Sequence, residues 1–179
     1  MTVLLTSNRL VVRRFTFDDV DALHAYRNDA DVARYQSWEL PYDRIDAEML
    51  AIEMGTAPLF RLGDWTQLAI ALSDEPDELI GDVGVRIEDL EPTAELGFTV
   101  ARQHWGNGYG TEALDTVIEH LFAELALVRV VAFTDRDNAG AQRALERAGL
   151  RYVTMDGNDM VYYRRRPGHP GSQAEDLGR

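Results

Sequence analysis

Glu95-Leu-Gly-Phe-Thr-Val100, followed closely by Gln103-His-Trp-Gly106-Asn-Gly108-Tyr-Gly110, is the stretch whose reading decides the fold of this chain. Its first part alternates as a strand does: Glu95, Gly97 and Thr99 share one face, and Leu96, Phe98 and Val100 the other. Its second part places glycines at alternate positions and runs directly into Leu114, Val117, Ile118, Leu121, Phe122 and Leu125. Those residues recur at helical spacing as one apolar stripe. Strand, glycine turn and helix therefore follow one another without a break. Glycines carry no Cβ to keep successive backbone N–H groups apart, and a helix start adds free donors and a positive dipole end. The turn from Gln103 to Gly110 reads as a cradle for phosphate at the start of a helix.

Upstream, Arg9 to Phe15 reads as a strand. Asp18 is placed to cap a helix running to about Asn28, with Val20, Leu23 and Tyr26 facing inward. A second helix is expected over Asp43 to Met54, where Ile45, Met49 and Ile52 recur at helical spacing. Between the two lies an aromatic loop holding Tyr35, Trp38, Pro41 and Tyr42. Leu68–Leu72, Leu79–Ile87 and Ala94–Ala101 are apolar runs separated by Ser-Asp-Glu-Pro-Asp-Glu and Glu-Pro-Thr turns, which predicts an antiparallel meander. Downstream, Val128–Thr134 reads as a buried β-branched strand. Asn138 caps a helix with a face of Ala141, Ala144, Leu145 and Ala148 and a stop at Gly149. Leu150–Met155 and Met160–Arg164 flank an Asp156-Gly157-Asn158-Asp159 turn as two closing strands. The order predicts a mixed α+β fold, mainly antiparallel, with about seven strands flanked by about four helices. Residues 1–166 form a single domain, and 167–179, rich in Pro, Gly and polar residues, a flexible tail.

Composition narrows the function. Apolar residues make up 45% of the 179 and charged ones 27%, enough for a full core and unlike a disordered chain. No apolar run reaches the roughly 18–20 residues of a membrane helix, and the N-terminus lacks a signal-peptide pattern, so a cytoplasmic location is expected. With no cysteine, disulfides, thiolate zinc sites and a cysteine acyl-enzyme are excluded. The four histidines have no metal-ligand spacing, and no metal is expected. The formal charge of −13, from 18 basic and 31 acidic groups, repels nucleic acid. It attracts cations such as polyamines, or serves solubility alone.

Two phosphate-binding motifs are ruled out for the turn. It has no Gly-Lys-Ser/Thr ending, and its glycines follow G-x-G-x-G after a meander, not G-x-G-x-x-G in an early βαβ unit. Instead, Gln103-x-x-Gly106-x-Gly108 matches the R/Q-x-x-G-x-G/A signature of the GCN5-related N-acetyltransferase (GNAT) superfamily. The run from Glu95-Leu-Gly-Phe to His-Trp-Gly-Asn-Gly-Tyr-Gly-Thr-Glu-Ala-Leu resembles the branch that acetylates ribosomal-protein N-termini. Asn138-Ala-Gly-Ala…Leu-Glu-Arg-Ala-Gly-Leu150 is similar to that branch's second motif, and Asn8-Arg-Leu-Val-Val-Arg-Arg-Phe to its opening strand. The likeness spans residues 7 to about 165.

The resemblance implies acetyl-CoA as acyl donor. Its pyrophosphate would lie on backbone donors of Trp105, Gly106, Asn107, Gly108, Tyr109 and Gly110, with Gln103 opening the motif and the Thr111 hydroxyl in reach. Its pantetheine arm would run along Phe98, Thr99 and Val100, and Asn138 would touch the arm near the thioester while also capping its helix. Glu95 matches a glutamate that in some relatives is the general base; as a residue it reads equally as a salt-bridged strand glutamate. The tyrosine acid of many relatives falls here at Leu145, so that acid is absent; Tyr109, Tyr152 or water remain to serve. Tyr35 and Trp38 lie in the region that contacts the acceptor in relatives, where aromatics hold cations or pack locally. Glu112 and Asp115 suit the helix dipole.

The activity implied is transfer of an acetyl group to a primary amine, on a protein N-terminus or a small molecule, by direct attack. The alternatives are a non-catalytic acyl-CoA sensor or partner module, and transfer of another acyl group such as succinyl. Homodimers are common among similar proteins, so a homodimer is one expectation.

Overall fold

The computed structural model describes residues 2–88 and 92–169. Of the expected tail, residues 170–179 lie outside the described residues, as does Glu91 of the Glu-Pro-Thr turn. The strands are β1 (Val3–Thr6), β2 (Leu10–Arg13), β3 (Trp65–Leu72), β4 (Leu79–Ile87), β5 (Thr93–Val100), β6 (Arg129–Asp135), β7 (Arg151–Asp156) and β8 (Asp159–Arg165). They join in one sheet of order β1-β2-β3-β4-β5-β6-β8-β7. Every neighbouring pair is antiparallel except β5–β6. That parallel pair needs a crossover, which the helix α4 (Tyr109–Glu124) supplies. The remaining helices are α1 (Val20–Arg27), α2 (Ala30–Ala33), α3 (Arg44–Thr56) and α5 (Ala139–Arg147).

Strand alternation sends two sets of side chains to opposite faces. Leu68, Ile70, Val83, Val85 and Leu96 meet Leu114, Val117, Leu121 and Leu145 of α4 and α5. On the other face, Ala69 and Leu79 meet Phe15, Leu23, Tyr26, Ala47 and Ala51 around α1 and α3. The α+β, mainly antiparallel expectation holds, with eight strands and five helices among the described residues, against the about seven and about four expected. Among the described residues, no helix is long and apolar enough to cross a membrane.

The N-terminal third departs most from expectation. The strand expected over Arg9–Phe15 is the second arm of a hairpin, with Arg9 in the turn, where the Ser7 N–H bonds the Leu10 carbonyl at 2.9 Å. Asp19, and not Asp18, organises the start of α1: its Oδ2 accepts the Thr16 N–H at 2.7 Å and the Thr16 hydroxyl at 3.1 Å. The inward residues Val20, Leu23 and Tyr26 are buried as expected, but the helix stops at Arg27, and α2 begins anew behind an Asp29 cap. In α3 the apolar spacing marks the helix but not its buried face. Ile45, Met49 and Ile52 are 67%, 64% and 56% exposed, whereas Ala47 and Ala51 are buried. Small residues let α3 lie close on α1 and β3, and the larger apolar ones are left outside.

Asp19 has a second partner. Arg13 Nη1 and Nη2 meet its two oxygens at 2.8 and 2.7 Å, and both residues are 1% exposed. Arg13 also donates to the carbonyls of Pro76, Arg14 and Asp77. A buried charge is tolerated only when paired and hydrogen-bonded in this way.

Candidate active site

The site is made by strands that part. β4 and β5 pair from Gly81↔Val100 to Ile87↔Ala94, but β5 and β6 pair only from Thr93↔Arg129 to Leu96↔Ala132. Past Leu96 the β6 side of β5 has no strand beside it among the described residues. The backbone groups of Phe98 and Val100 point into that gap: the Phe98 carbonyl accepts Gln36 Nε2 at 3.5 Å, and the Val100 carbonyl accepts Trp105 Nε1 at 2.6 Å. A free strand edge is a row of donors and acceptors awaiting an extended partner.

The glycine turn closes one end of the gap, and its glycines have separate jobs. Gly106 and Gly108 sit at φ +78° and +79°, the left-handed region that side chains avoid. Gly110 is already helical; a Cβ there would lie 2.9 Å from Phe98 Cε2, so it permits α4 to press on β5. Gly108 is the N-cap of α4 and supplies no side-chain cap, unlike Asp29 and Asn138, which cap α2 and α5. The first N–H groups of α4 are thus left for an outside acceptor. Asn107 Nδ2 bonds the carbonyls of His104 and Trp105 at 3.1 and 3.3 Å and holds the shape of the turn.

Strand gap and turn open on a cavity of about 560 Å3. It brings together Phe98, Thr99, Val100, Trp105, Gly106, Gly108, Tyr109, Gly110, Thr111, Asn138 and Tyr35 of the residues singled out in the sequence. Asn138 caps α5 as expected, its Oδ1 accepting the Ala141 N–H at 3.1 Å. The Thr111 hydroxyl reaches the Ala144 carbonyl at 3.5 Å. Tyr35 donates its hydroxyl to the Asp137 carbonyl, another residue of the lining, at 3.2 Å.

Gln103, Asn107, Trp38 and Glu95 do not line the cavity. Gln103 is exposed. Trp38 donates its indole N–H to the Arg27 carbonyl at 2.9 Å, and the Arg27 guanidinium lies 4.4 Å from its ring. Its contacts are those of local packing, the alternative reading of these aromatics. Glu95 is on the opposite face of β5, its Oε2 held by Arg86 Nη2 at 2.5 Å. Tyr109 lines the cavity, Tyr152 does not, and Leu145 is core at 1% exposure.

The sequence reading missed the cations around the site. Arg9 comes from the β1–β2 turn: its guanidinium lies 4.7 Å from the Tyr109 ring, bonds the Asn107 carbonyl at 3.1 Å, and pairs with Glu112 at 2.7 Å. Burial would raise the Glu112 pKa, but bonds from Ser7 and Arg9 outweigh it and the net shift is downward. Glu112 is therefore a neutralised staple between hairpin and α4 rather than a free dipole charge, and Asp115 pairs with Arg164. Nothing in the local pattern around Arg9 reveals this contact. Arg143 and Arg147 also line the cavity, and neither pairs with a carboxylate among the described residues. Their i,i+4 spacing on the helix capped by Asn138 was the signal available.

Behind Thr99, Asp82 accepts the Tyr26 hydroxyl at 2.5 Å. Burial raises the pKa of both groups, against the pull of Arg27. Asp82 is 3% exposed, so this cluster fixes α1 to β4 and its own carboxylate is closed to solvent.

Comparison with known proteins agrees with this architecture. The family model for an acetyltransferase (GNAT) domain matches residues 9–151. The uncharacterized N-acetyltransferase p20 of Bacillus licheniformis is 30% identical over 79% of this chain and 78% of its own. Among solved structures, the spermidine N-acetyltransferase of Vibrio cholerae, in complex with CoA and spermine, superposes with a TM-score of 0.72 at 17% identity, covering 89% of this chain and 97% of that one. RimL, the ribosomal L7/L12 alpha-N-protein acetyltransferase in complex with coenzyme A, gives 0.72 at 18%, covering 91% and 97%. Parted strands, uncapped glycine turn and matching relatives agree: the chain belongs to the GNAT family and is an acetyltransferase.

Proposed function

We propose that the chain transfers the acetyl group of acetyl-CoA to a primary amine, on a protein N-terminus or a small molecule, by direct attack. The observation that carries this reading is the free edge of β5 beside the uncapped start of α4. The two suit the two halves of the donor. N–H groups from Gly106 to Gly110 receive the pyrophosphate, the Trp105 N–H being already bonded to the Arg102 carbonyl at 3.1 Å, with Gln103 and Asn107 acting through the turn and Thr111 offering its hydroxyl. Phe98 and Val100 present N–H groups, and the second lone pairs of carbonyls that also accept from Gln36 and Trp105, to the amides of the arm, Thr99 lies between them, and Asn138 meets the arm where α5 begins.

Arg143 and Arg147 supply the positive charge that an overall charge of −13 lacks. A charge-assisted hydrogen bond contributes about 1.5–3 kcal/mol, so replacing either arginine with alanine raises the acetyl-CoA Kd about tenfold or more. Titration calorimetry measures this, and the difference shrinks at high salt.

Acetyl-CoA supplies a thioester: the amine nitrogen bonds to the acyl carbon, the C–S bond breaks, and the amine proton is lost. The attacking amine must be neutral, yet an α-amine titrates near 8 and a lysine near 10.4. Glu95 lies on β5 one residue before its pairing with β6 ends, on the face opposite Phe98, and Arg86 fixes its position. It takes the amine proton directly or through water. Glu95→Gln is expected to lower kcat about 100-fold, the lower end of general-base effects, with the acetyl-CoA Kd unchanged. A thiolate of ordinary pKa near 8.5 leaves without an obligatory acid.

One observation favours a second reading. Leu145 fills the core where many relatives carry the acid, as a non-catalytic acyl-CoA sensor would allow. Thiol release from acetyl-CoA across an amine panel separates the two, because a sensor binds the thioester and releases nothing.

A further inference from the structure

Trp105 stands just before the first glycine of the turn, and its backbone N–H is taken by the Arg102 carbonyl at 3.1 Å. Its indole is the part that reaches outward. The Nε1–H donates to the Val100 carbonyl at 2.6 Å, while the ring lines the cavity and stays 49% exposed. Val100 is the last residue of β5, on the stretch that β6 leaves unpaired. The bond therefore runs from the glycine turn to the free strand edge, and so joins the two halves of the donor's site.

Little else fixes the turn to that strand. The N–H groups of His104 and Trp105 bond the carbonyls of Ala101 and Arg102, and Asn107 Nδ2 bonds those of His104 and Trp105. These shape the turn from within. Arg9 holds the Asn107 carbonyl from the β1–β2 turn, and Arg102 pairs with Asp31 of α2 at 2.8 Å, which ties the turn to other elements. Gly110 packs α4 onto Phe98 only beyond the turn. Among the described residues, Trp105 alone in the turn bonds β5 through its side chain. Gly106 and Gly108, on either side of Asn107, give this stretch a backbone that shifts readily. Its place beside β5 rests on one indole N–H.

We propose that Trp105 is a positioning residue: its bond to Val100 sets the pyrophosphate cradle at the distance from the β5 edge that the pantetheine arm spans. This rests on the acetyl-CoA reading above. The two halves of the donor are one covalent chain, so turn and strand edge hold it together only when their separation matches its length. When it matches, the second contact forms at high effective concentration; when it does not, one half is released. The Val100 carbonyl keeps a second lone pair for the arm, so the indole stays bonded when the donor enters.

The test is Trp105→Phe, which keeps a ring in the cavity and removes the N–H. Calorimetric titration into the full chain compares acetyl-CoA with its two halves, pantetheine and adenosine 3′-phosphate 5′-diphosphate. The acetyl-CoA Kd is expected to rise about tenfold, a small part of the advantage that linkage provides. The Kd of each separate half should not move, which also shows that the variant is folded. An unchanged acetyl-CoA Kd overturns the proposal. So does a lower one, which would mean that the indole competes with the arm for Val100. A rise shared by either half overturns it too, because Trp105 would then contact that half directly or hold its site in shape. Failure of the transfer reading looks different: acetyl-CoA binds and no amine releases thiol, while the three Kd values still decide the role of Trp105.

Discussion

Gly108→Trp is expected to raise the acetyl-CoA Kd at least 100-fold while leaving the protein folded. Two effects combine. Gly108 holds φ +79° at the N-cap of α4, and a residue with a Cβ costs roughly 1–2 kcal/mol in that region. The indole would also enter the cavity that Gly108 lines and displace what the free N–H groups of α4 hold. Nearby, only an arginine side-chain nitrogen, Arg9 Nη2 at 3.7 Å, approaches the position of the new Cβ, so the fold can absorb the change. Gly110→Ala is the instructive contrast: its Cβ meets the Phe98 ring at 2.9 Å, so it acts by prying α4 from β5 and lowers stability first. Unchanged acetyl-CoA affinity in Gly108→Trp would remove the turn from the site.

Asp19→Ala is expected to cost about 3–5 kcal/mol of stability, the usual result of breaking a buried ion pair from one side. Arg13 would remain 1% exposed with its carboxylate gone, and the carbonyls of Pro76, Arg14 and Asp77 cannot neutralise it. The same change also removes the acceptor for Thr16 at the start of α1. For a chain of this length each kcal/mol moves Tm by about 2–4 °C, so a fall of roughly 6–20 °C should appear in a thermal melt. The acetyl-CoA Kd of the folded variant should not change, because the pair lies in the α1–β2 corner away from the cavity. A loss within the roughly 0–1 kcal/mol of a surface ion pair would show that the corner relaxes and admits water.

Local pattern made much of this molecule readable. The strands β3 to β8 and the helices α4 and α5 carry their periodicity within a few residues, and turn residues mark their ends. The glycine turn was legible for the same reason, since Gly106, Gly108 and Gly110 advertise backbone geometry directly. What escaped depends on contacts between distant parts of the chain. Ile45, Met49 and Ile52 announce a helix, but which face of α3 is buried is decided by how closely Ala47 and Ala51 let it approach α1 and β3. Arg9 reads as a strand residue until the hairpin brings it onto Tyr109 and Glu112. Trp38 invites an acceptor role, yet Arg27 supplies both the cation over its ring and the carbonyl for its N–H. Trp105 reads as a backbone donor of the turn, yet its N–H bonds Arg102, and only the folded turn brings its indole onto the Val100 carbonyl.

The central claim is that the gap between β5 and β6 presents a thioester to an amine. Thiol release from acetyl-CoA, followed with and without the tripeptide Ser-Ala-Ala and other amines, tests it most directly. The account predicts release that depends on the amine and is lost in Gly108→Trp. Firm acetyl-CoA binding with no release in the presence of any amine would contradict it.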